Sequence, residues 1–305
     1  MDSRDISRRA FAQIAGGLAV AQAPLHGAAT TAQDIVKQIQ DRLGGDWSQR
    51  GVDGFKAGKP EAEVQGIATT AMATIDVLRK AAKAGMNLIV SHEPTFFGSR
   101  DGAPVAAPPP GAAGRGPAAP AGEDPVLKAK QEFIEKNGLV IFRLRDHWRA
   151  RKEDEMSAGL AESLGWASHR VPGEVPMYDI PAATLADTVA AIRKKLNLRG
   201  GLRAVGDAKA KVRRVMLYPG QMPPETMLKY FDQVDLLVAG EVREWESVPY
   251  AVDMNTAGEK RSLVTIGRVA SEDPGMRACA AWMKTVVKGV PIEWISAGDP
   301  YWRAV

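Results

Sequence analysis

Two stretches of the chain share one pattern of apolar and polar positions. Over residues 71–84, Ile75, Leu78 and Ala82 recur on one helical face, and Asn87-Leu88-Ile89-Val90 then runs into Ser91-His92-Glu93-Pro94. Over residues 224–233, Met227, Leu228 and Phe231 recur in the same way, and Asp235-Leu236-Leu237-Val238 runs into Ala239-Gly240-Glu241-Val242. An amphipathic helix leading into a short apolar strand that ends in polar residues is thus used twice. The runs 88–90 and 236–238 are continuous rather than alternating, which predicts strands covered by helices on both faces. The expected fold is α/β, a layered mixed sheet built from two similar α/β halves. Further strands are predicted at 140–144, 212–217, 263–266 and 292–295. Further helices are predicted at 32–43, 126–137, 153–164, 185–196 and 275–287, the last with Asp273-Pro274 as cap and first-turn residue.

Composition places limits on this picture. The 305 residues are 45% hydrophobic and 25% charged, which is ordinary for a globular protein. The net charge of +4 is spread among mixed signs, with no basic face and no RNA-binding aromatic signature, so nucleic acid is not expected as a partner. The single cysteine, Cys279, excludes an internal disulfide and a Cys-rich zinc cage; it is expected to be a small buried residue. Any metal site therefore falls to histidine and carboxylate ligands.

The first 32 residues read as an address. Ser7-Arg8-Arg9-Ala10-Phe11 precedes a mildly apolar stretch and a run of small residues, the order of a twin-arginine export signal. The alternative is an amphipathic helix that stays attached. The apolar stretch is shorter than the ~20 residues that span a bilayer, and no stable membrane insertion is expected. Residues 33–305 are then the folded domain, and the periplasm or the outside of the cell is its expected location. Within that domain, residues 99–125 are rich in Gly, Ala and Pro and are expected to form an extended surface loop.

Ligands of open α/β sheets bind outside the carboxyl ends of strands, so the polar residues directly after the apolar runs are the candidates. His92 and Glu93 follow the run 88–90, and Pro94 stops the strand while keeping Glu93 extended. Imidazole and carboxylate together suit zinc, manganese or iron; the plainer role for the two is a capping His and a solvated Glu. Asp146 and His147 follow the run 140–144, the first as a metal ligand and the second as a ligand or proton relay. Arg143, Arg145, Arg149 and Arg151 surround Asp146 and offer it ordinary ion pairs instead. Glu241 occupies in the second half the place of His92 in the first, whereas Glu244 and Glu246 read as solvated helix residues. Arg268 and Glu272 follow the run 263–266 four residues apart, which puts them on one face if the turn between them is helical.

These residues resemble a known pattern. Residues 47–58, 73–76, 87–97, 200–207, 238–242 and 267–272, in that order, are similar to the NIF-three-like (NGG-interacting factor three-like) family of dinuclear-metal-centre proteins, often labelled homologues of GTP cyclohydrolase type 2. The resemblance runs over nearly the whole mature chain. It implies two metal ions held by paired histidines after the first strand, an aspartate after another, and a late histidine and glutamate four apart. His92 matches the first histidine and Glu272 the final glutamate. Glu93 stands where the second histidine is expected, and Arg268 where the late one is. Asp146 or His147 is the nearest counterpart of the aspartate, since an ungapped reading puts Arg149 there. Exchanging two neutral ligands for a carboxylate and a guanidinium replaces the second ion, on this reading, by a Glu93–Arg268 pair.

The metal ligands expected are thus His92, Glu93, Asp146 and Glu272, with one or two divalent ions per chain. Glu241, Arg268 and His147 are the expected catalytic residues of a metal-dependent hydrolase that activates water, with Arg268 holding an anionic small-molecule substrate. The alternative is a non-catalytic metal-binding or assembly protein, because the family implies ring-like homo-oligomers. GTP cyclohydrolase chemistry has only the family label behind it: there is no P-loop, and Gly200-Gly201 to Gly206 lacks the phosphate-binding lysine.

Overall fold

A computed structural model of the chain describes residues 30–47, 51–98, 101 and 124–302. The export signal expected over 1–32 and the loop expected over 99–125 lie outside these residues, apart from positions 30–32, 101, 124 and 125.

The chain opens with α1 (Ala32–Leu43), β1 (Gly54–Ala57), β2 (Ile67–Thr70), α2 (Ile75–Lys83), β3 (Leu88–Ser91), α3 (Pro125–Lys136) and β4 (Val140–Arg143). It continues through α4 (Asp146–Arg149), α5 (Glu155–Leu164), β5 (Met177–Thr184), α6 (Leu185–Lys195), β6 (Arg203–Val205), β7 (Lys211–Met222) and α7 (Pro224–Tyr230). It closes with β8 (Leu236–Val242), α8 (Glu244–Thr256), β9 (Ser262–Thr265), α9 (Arg268–Val286) and β10 (Ile292–Trp294).

Two five-stranded sheets result, in the orders β1-β4-β3-β2-β10 and β5-β7-β8-β9-β6. In each, three consecutive strands joined by helices run parallel: β2, β3 and β4 in the first, β7, β8 and β9 in the second. Antiparallel strands close both edges of the second sheet and one edge of the first. The doubled half-motif is therefore a doubled βαβαβ unit, and β3 and the first half of β8 are buried on both faces as their continuous apolar runs require. Strands β1, β2 and β6 carry no distinctive run, and they and β5 escape the pattern.

Helix ends follow side-chain chemistry. Thr31 and Asp34 form a reciprocal capping box at α1, whose Ile35, Val36 and Ile39 face the core. The last helix begins seven residues earlier than its Asp273-Pro274 signal predicts. Gly267, at φ +91°, turns the chain out of β9, and the Ser271 N–H donates to the Gly267 carbonyl, so the turn 268–272 is already helical. Pro274 sits inside α9, where it leaves a single helical hydrogen bond unmade. Helix α9 is shared between the halves, packing on β2 and β10 of one sheet and on β7 and β8 of the other, with α5 laid along it. Cys279 is buried in this seam. Among the described residues no helix is long and apolar enough to cross a membrane.

Candidate metal centre

The carboxyl ends of the parallel strands of both sheets meet at one place. From the first half, β3 delivers His92 and Glu93. Their backbone N–H groups donate to the Thr70 and Ala71 carbonyls, and the His92 carbonyl accepts from Arg143 Nε at 3.1 Å. From the second half, the early start of α9 turns Arg268 and Glu272 inward together. His92 Nε2 stands 3.8 Å from Glu272 Oε1 and 4.0 Å from Glu93 Oε1. One donor atom from each of the three residues lies within 4.8 Å of the other two, and all three residues are buried.

Two properties make this group compatible with a metal ion. Both carboxylate oxygens of Glu272 are buried with no hydrogen-bond partner among the described residues, and the buried His92 ring has only the Leu144 backbone beside it, a costly state unless something supplies the missing charge. Donors that share an ion at about 2.0–2.2 Å stand roughly 3–3.6 Å apart, so the His92 spacings are within a few tenths of an ångström of what coordination needs. Electrostatics point the same way. Burial, reinforced by Arg149 and Arg145, pushes the His92 pKa well below the usual histidine range, so the ring is a neutral ligand. Burial and the neighbouring Glu93 push the Glu272 carboxyl up to about 8 in the metal-free protein, against the pull of Arg268, Arg149 and Arg145.

Arginines bound the site. Arg268 Nη2 donates to Glu93 Oε1 at 2.9 Å and Nη1 to Glu241 Oε1 at 2.8 Å, while Nε lies 3.7 Å from Glu272 Oε1. Burial works against the Arg268 charge, but Glu93 and Glu272 outweigh it and hold its pKa above the ordinary value. Arg145 Nε lies 3.6 Å from Glu93, and Arg149 Nη1 lies 3.9 Å from Glu272.

Not every expected residue joins the trio. Asp146 does not: its carboxylate accepts from the Val52 N–H and from Arg145, and it is partly exposed in the first turn of α4. The helix explains this displacement, because it turns the side chain away from the line of β4. His147 is held apart by Asp53, which bonds its Nδ1 at 2.9 Å, and its ring stacks on Trp47 at 3.6 Å. Glu241 lies within β8 rather than after it, because Gln221 and Met222 of β7 extend the pairing, and it reaches the site through Arg268.

Three contributors carried no sequence signal strong enough to single them out. Asp53 accepts from the backbone N–H groups of Arg145, Asp146 and His147 and so seats α4. Ser271 donates to the Arg268 carbonyl at 2.6 Å and accepts from the Gly220 N–H at 2.9 Å, joining α9 to β7. Gly220 has φ +82°, and a Cβ there would meet Glu272 Oε1 at 2.5 Å. The break in register between Tyr218 and Gln221 was the only kind of signal that could have revealed it, and it is a property of the paired strands.

Residues 31–105 match the family model described as Duf34/NIF3 (NGG1p interacting factor 3). The hypothetical protein SA1388 of Staphylococcus aureus has a similar fold over 90% of this chain and 99% of its own, with a TM-score of 0.66 and 16% identity. A Bacillus cereus protein related to NIF3 is similar over 91% of this chain and 100% of its own, with a TM-score of 0.65 and 15% identity. HcgD from Methanocaldococcus jannaschii is similar over 86% and 97%, with a TM-score of 0.56 and 12% identity. No curated protein matches the sequence. The chain thus carries the Duf34/NIF3 pattern over residues 31–105 and shares the fold of a NIF3-related structure over nine-tenths of its length.

Proposed function

We propose that the protein binds one divalent cation through His92, Glu93 and Glu272 and uses it to hydrolyse an anionic small molecule. The observation that carries the reading is the buried pair of His92 ring and Glu272 carboxylate, the latter with no hydrogen-bond partner among the described residues, drawn from opposite halves of the fold. A second ion finds its place taken: the Arg268 guanidinium bonds Glu93 and bridges to Glu241 where the resemblance implies two more imidazoles. Zinc, manganese and iron all suit the donor set.

A divalent ion bound there supplies Lewis-acid polarisation of a substrate oxygen and makes water more acidic. The chain's own residues do the rest. Arg268 holds an anionic substrate group beside the ion and keeps Glu93 and Glu241 in place. Glu241, part-exposed at the rim, takes a proton from attacking water. His147, oriented by Asp53 and stacked on Trp47, passes protons onward to solvent. Asp146 serves as the seat of Arg145.

Metal analysis of purified protein, with hydrolysis assayed across phosphoester and cyclic-amide substrates, tests this. One ion per chain and turnover lost in His92→Ala support it; an ion content unchanged by that substitution overturns the ligand assignment. The burial of His92 and Glu272 favours the second reading, a non-catalytic metal-binding or assembly protein, because closed sites are typical of structural ions. Metal binding without turnover on any substrate selects it. We further propose that residues 1–32 direct twin-arginine export of a domain spanning 33–305 that assembles as a homo-oligomer and binds no nucleic acid. Fractionation of cells and light scattering of the purified protein check these.

A further inference from the structure

We propose that Arg145, Arg149 and Arg268 form a receptor for a phosphate-type oxyanion that engages only when the cation is bound. The inference rests on the reading above and names the substrate class of the same site.

Three observations carry it. The guanidinium groups converge from two halves of the fold on the carboxylates of the trio: Arg145 on Glu93, Arg149 on Glu272, and Arg268 on both. They are partly exposed, at 33%, 22% and 23% of their side chains, while Glu93 and Glu272 behind them are at 5% and 0%. The arginines are therefore the boundary between the buried donors and solvent. They also keep donors in reserve. A guanidinium offers five N–H bonds in a planar fork. Arg149 gives one to the Pro219 carbonyl and Arg145 one to Asp146, while Arg268 spends Nη1 on Glu241 and Nη2 on Glu93 and holds the two acids in place. Further N–H groups of Arg145 and Arg149, converging from two planes beside the Arg268 charge, suit a tetrahedral oxyanion better than a lone carboxylate.

The charge count makes the receptor conditional. The three guanidiniums face four carboxylates, those of Glu93, Glu241, Glu272 and Asp146. Nearby Arg143 is paired with Asp101 and adds no net charge, and Asp53 is engaged by His147 and three backbone amides rather than by these guanidiniums. Without a cation the acidic groups of this cluster outnumber the basic ones by one. A divalent cation makes it positive, frees the guanidiniums from holding Glu93 and Glu272, and turns them toward an incoming anion. Cation and oxyanion are thereby coupled, and linkage requires each to tighten the other by the same factor.

The test is calorimetric titration of the full-length protein with Mn2+ alone, with inorganic phosphate alone, and with phosphate at saturating Mn2+. The expected result is phosphate binding at least about tenfold tighter with Mn2+, an equal gain for Mn2+ with phosphate, and a loss of about tenfold or more in Arg149→Met and in Arg145→Met. Arg151→Met, which removes a guanidinium paired with Glu155, serves as the folded control and should leave the coupling unchanged. Mn2+ binding with no phosphate coupling, or coupling that survives both Arg145→Met and Arg149→Met, overturns the receptor and leaves the metal reading standing. Failure of Mn2+ to bind at all overturns both.

Discussion

Replacing Arg268 by methionine removes a single positive charge from among three carboxylates while keeping most of the side-chain volume. Two of the partners are buried, Glu93 with 5% and Glu272 with 0% of its side chain exposed, and the guanidinium itself is 23% exposed. Breaking a buried pair by removing one member costs about 3–5 kcal/mol; because water reaches one side of this guanidinium, the lower end applies, about 3 kcal/mol. With a urea slope of ~3 kcal/mol/M, the unfolding midpoint in chelator should fall by about 1 M. Arg214→Met is the control. It removes a pair of similar length, Arg214 to Asp179 at 2.8 Å, at an exposed site where screening leaves it little net value. Repeating the urea titration with Mn2+ should shrink the Arg268→Met deficit, because the ion supplies the positive charge the variant lacks, and only the folded state binds it. A loss in chelator below about 1 kcal/mol, or a deficit that Mn2+ leaves unchanged, would refute the claim that Arg268 is what neutralises Glu93 and Glu272.

Three other substitutions or conditions probe the same geometry. Glu93→His combined with Arg268→His installs the imidazoles that the family resemblance implies, and metal analysis should then find two ions per chain in place of one. Gly220→Ala should destabilise the protein more than Gly85→Ala, since both have positive φ (+82° and +73°) but only a Cβ at Gly220 meets Glu272; the variant should also bind Mn2+ more weakly, and equal stability losses would count against the close approach. In the metal-free protein, stability should fall as pH rises from about 7.5 to 8: Glu272, held up to about 8, keeps a proton when folded that the unfolded chain has released, whereas the opposing contribution of His92 has largely faded once pH is about a unit above the ordinary histidine value. Below the ordinary histidine value the slope from His92 has the opposite sign, because the unfolded chain binds a proton that the buried ring refuses. Chemical denaturation across that range, with Glu272→Gln as the flat comparison, reads the effect.

The local part of this fold was legible along the chain because its cause is local. Helix α1 spans the expected residues, with Ile35, Val36 and Ile39 at helical spacing behind a Thr31 cap. The runs 88–90 and 236–238 announced buried parallel strands, and the repeated half-motif announced two similar units. His92, Glu93, Arg268 and Glu272 could be named because each stands near the end of an apolar run, where a ligand site of an α/β sheet must lie. Asp146 had the same credentials and is absent from the trio, because whether the chain goes on straight or turns into a helix after β4 depends on Asp53, more than ninety residues away.

What the sequence determined by itself, then, was the set of elements and the chemistry available at their ends. Periodicity, capping and composition act over a few residues and need no partner. The tertiary structure decided which ends meet, that α9 starts early enough to turn Arg268 and Glu272 inward together, and that Gly220 lets β7 pass against Glu272. It also decided that a guanidinium, held between Glu93 and Glu241, fills the space beside the trio. The physical reason is distance. Charge and burial are properties of neighbours in space, and the neighbours of His92 are brought there from residues 143, 145, 149 and 272 by the packing of two sheets around one shared helix.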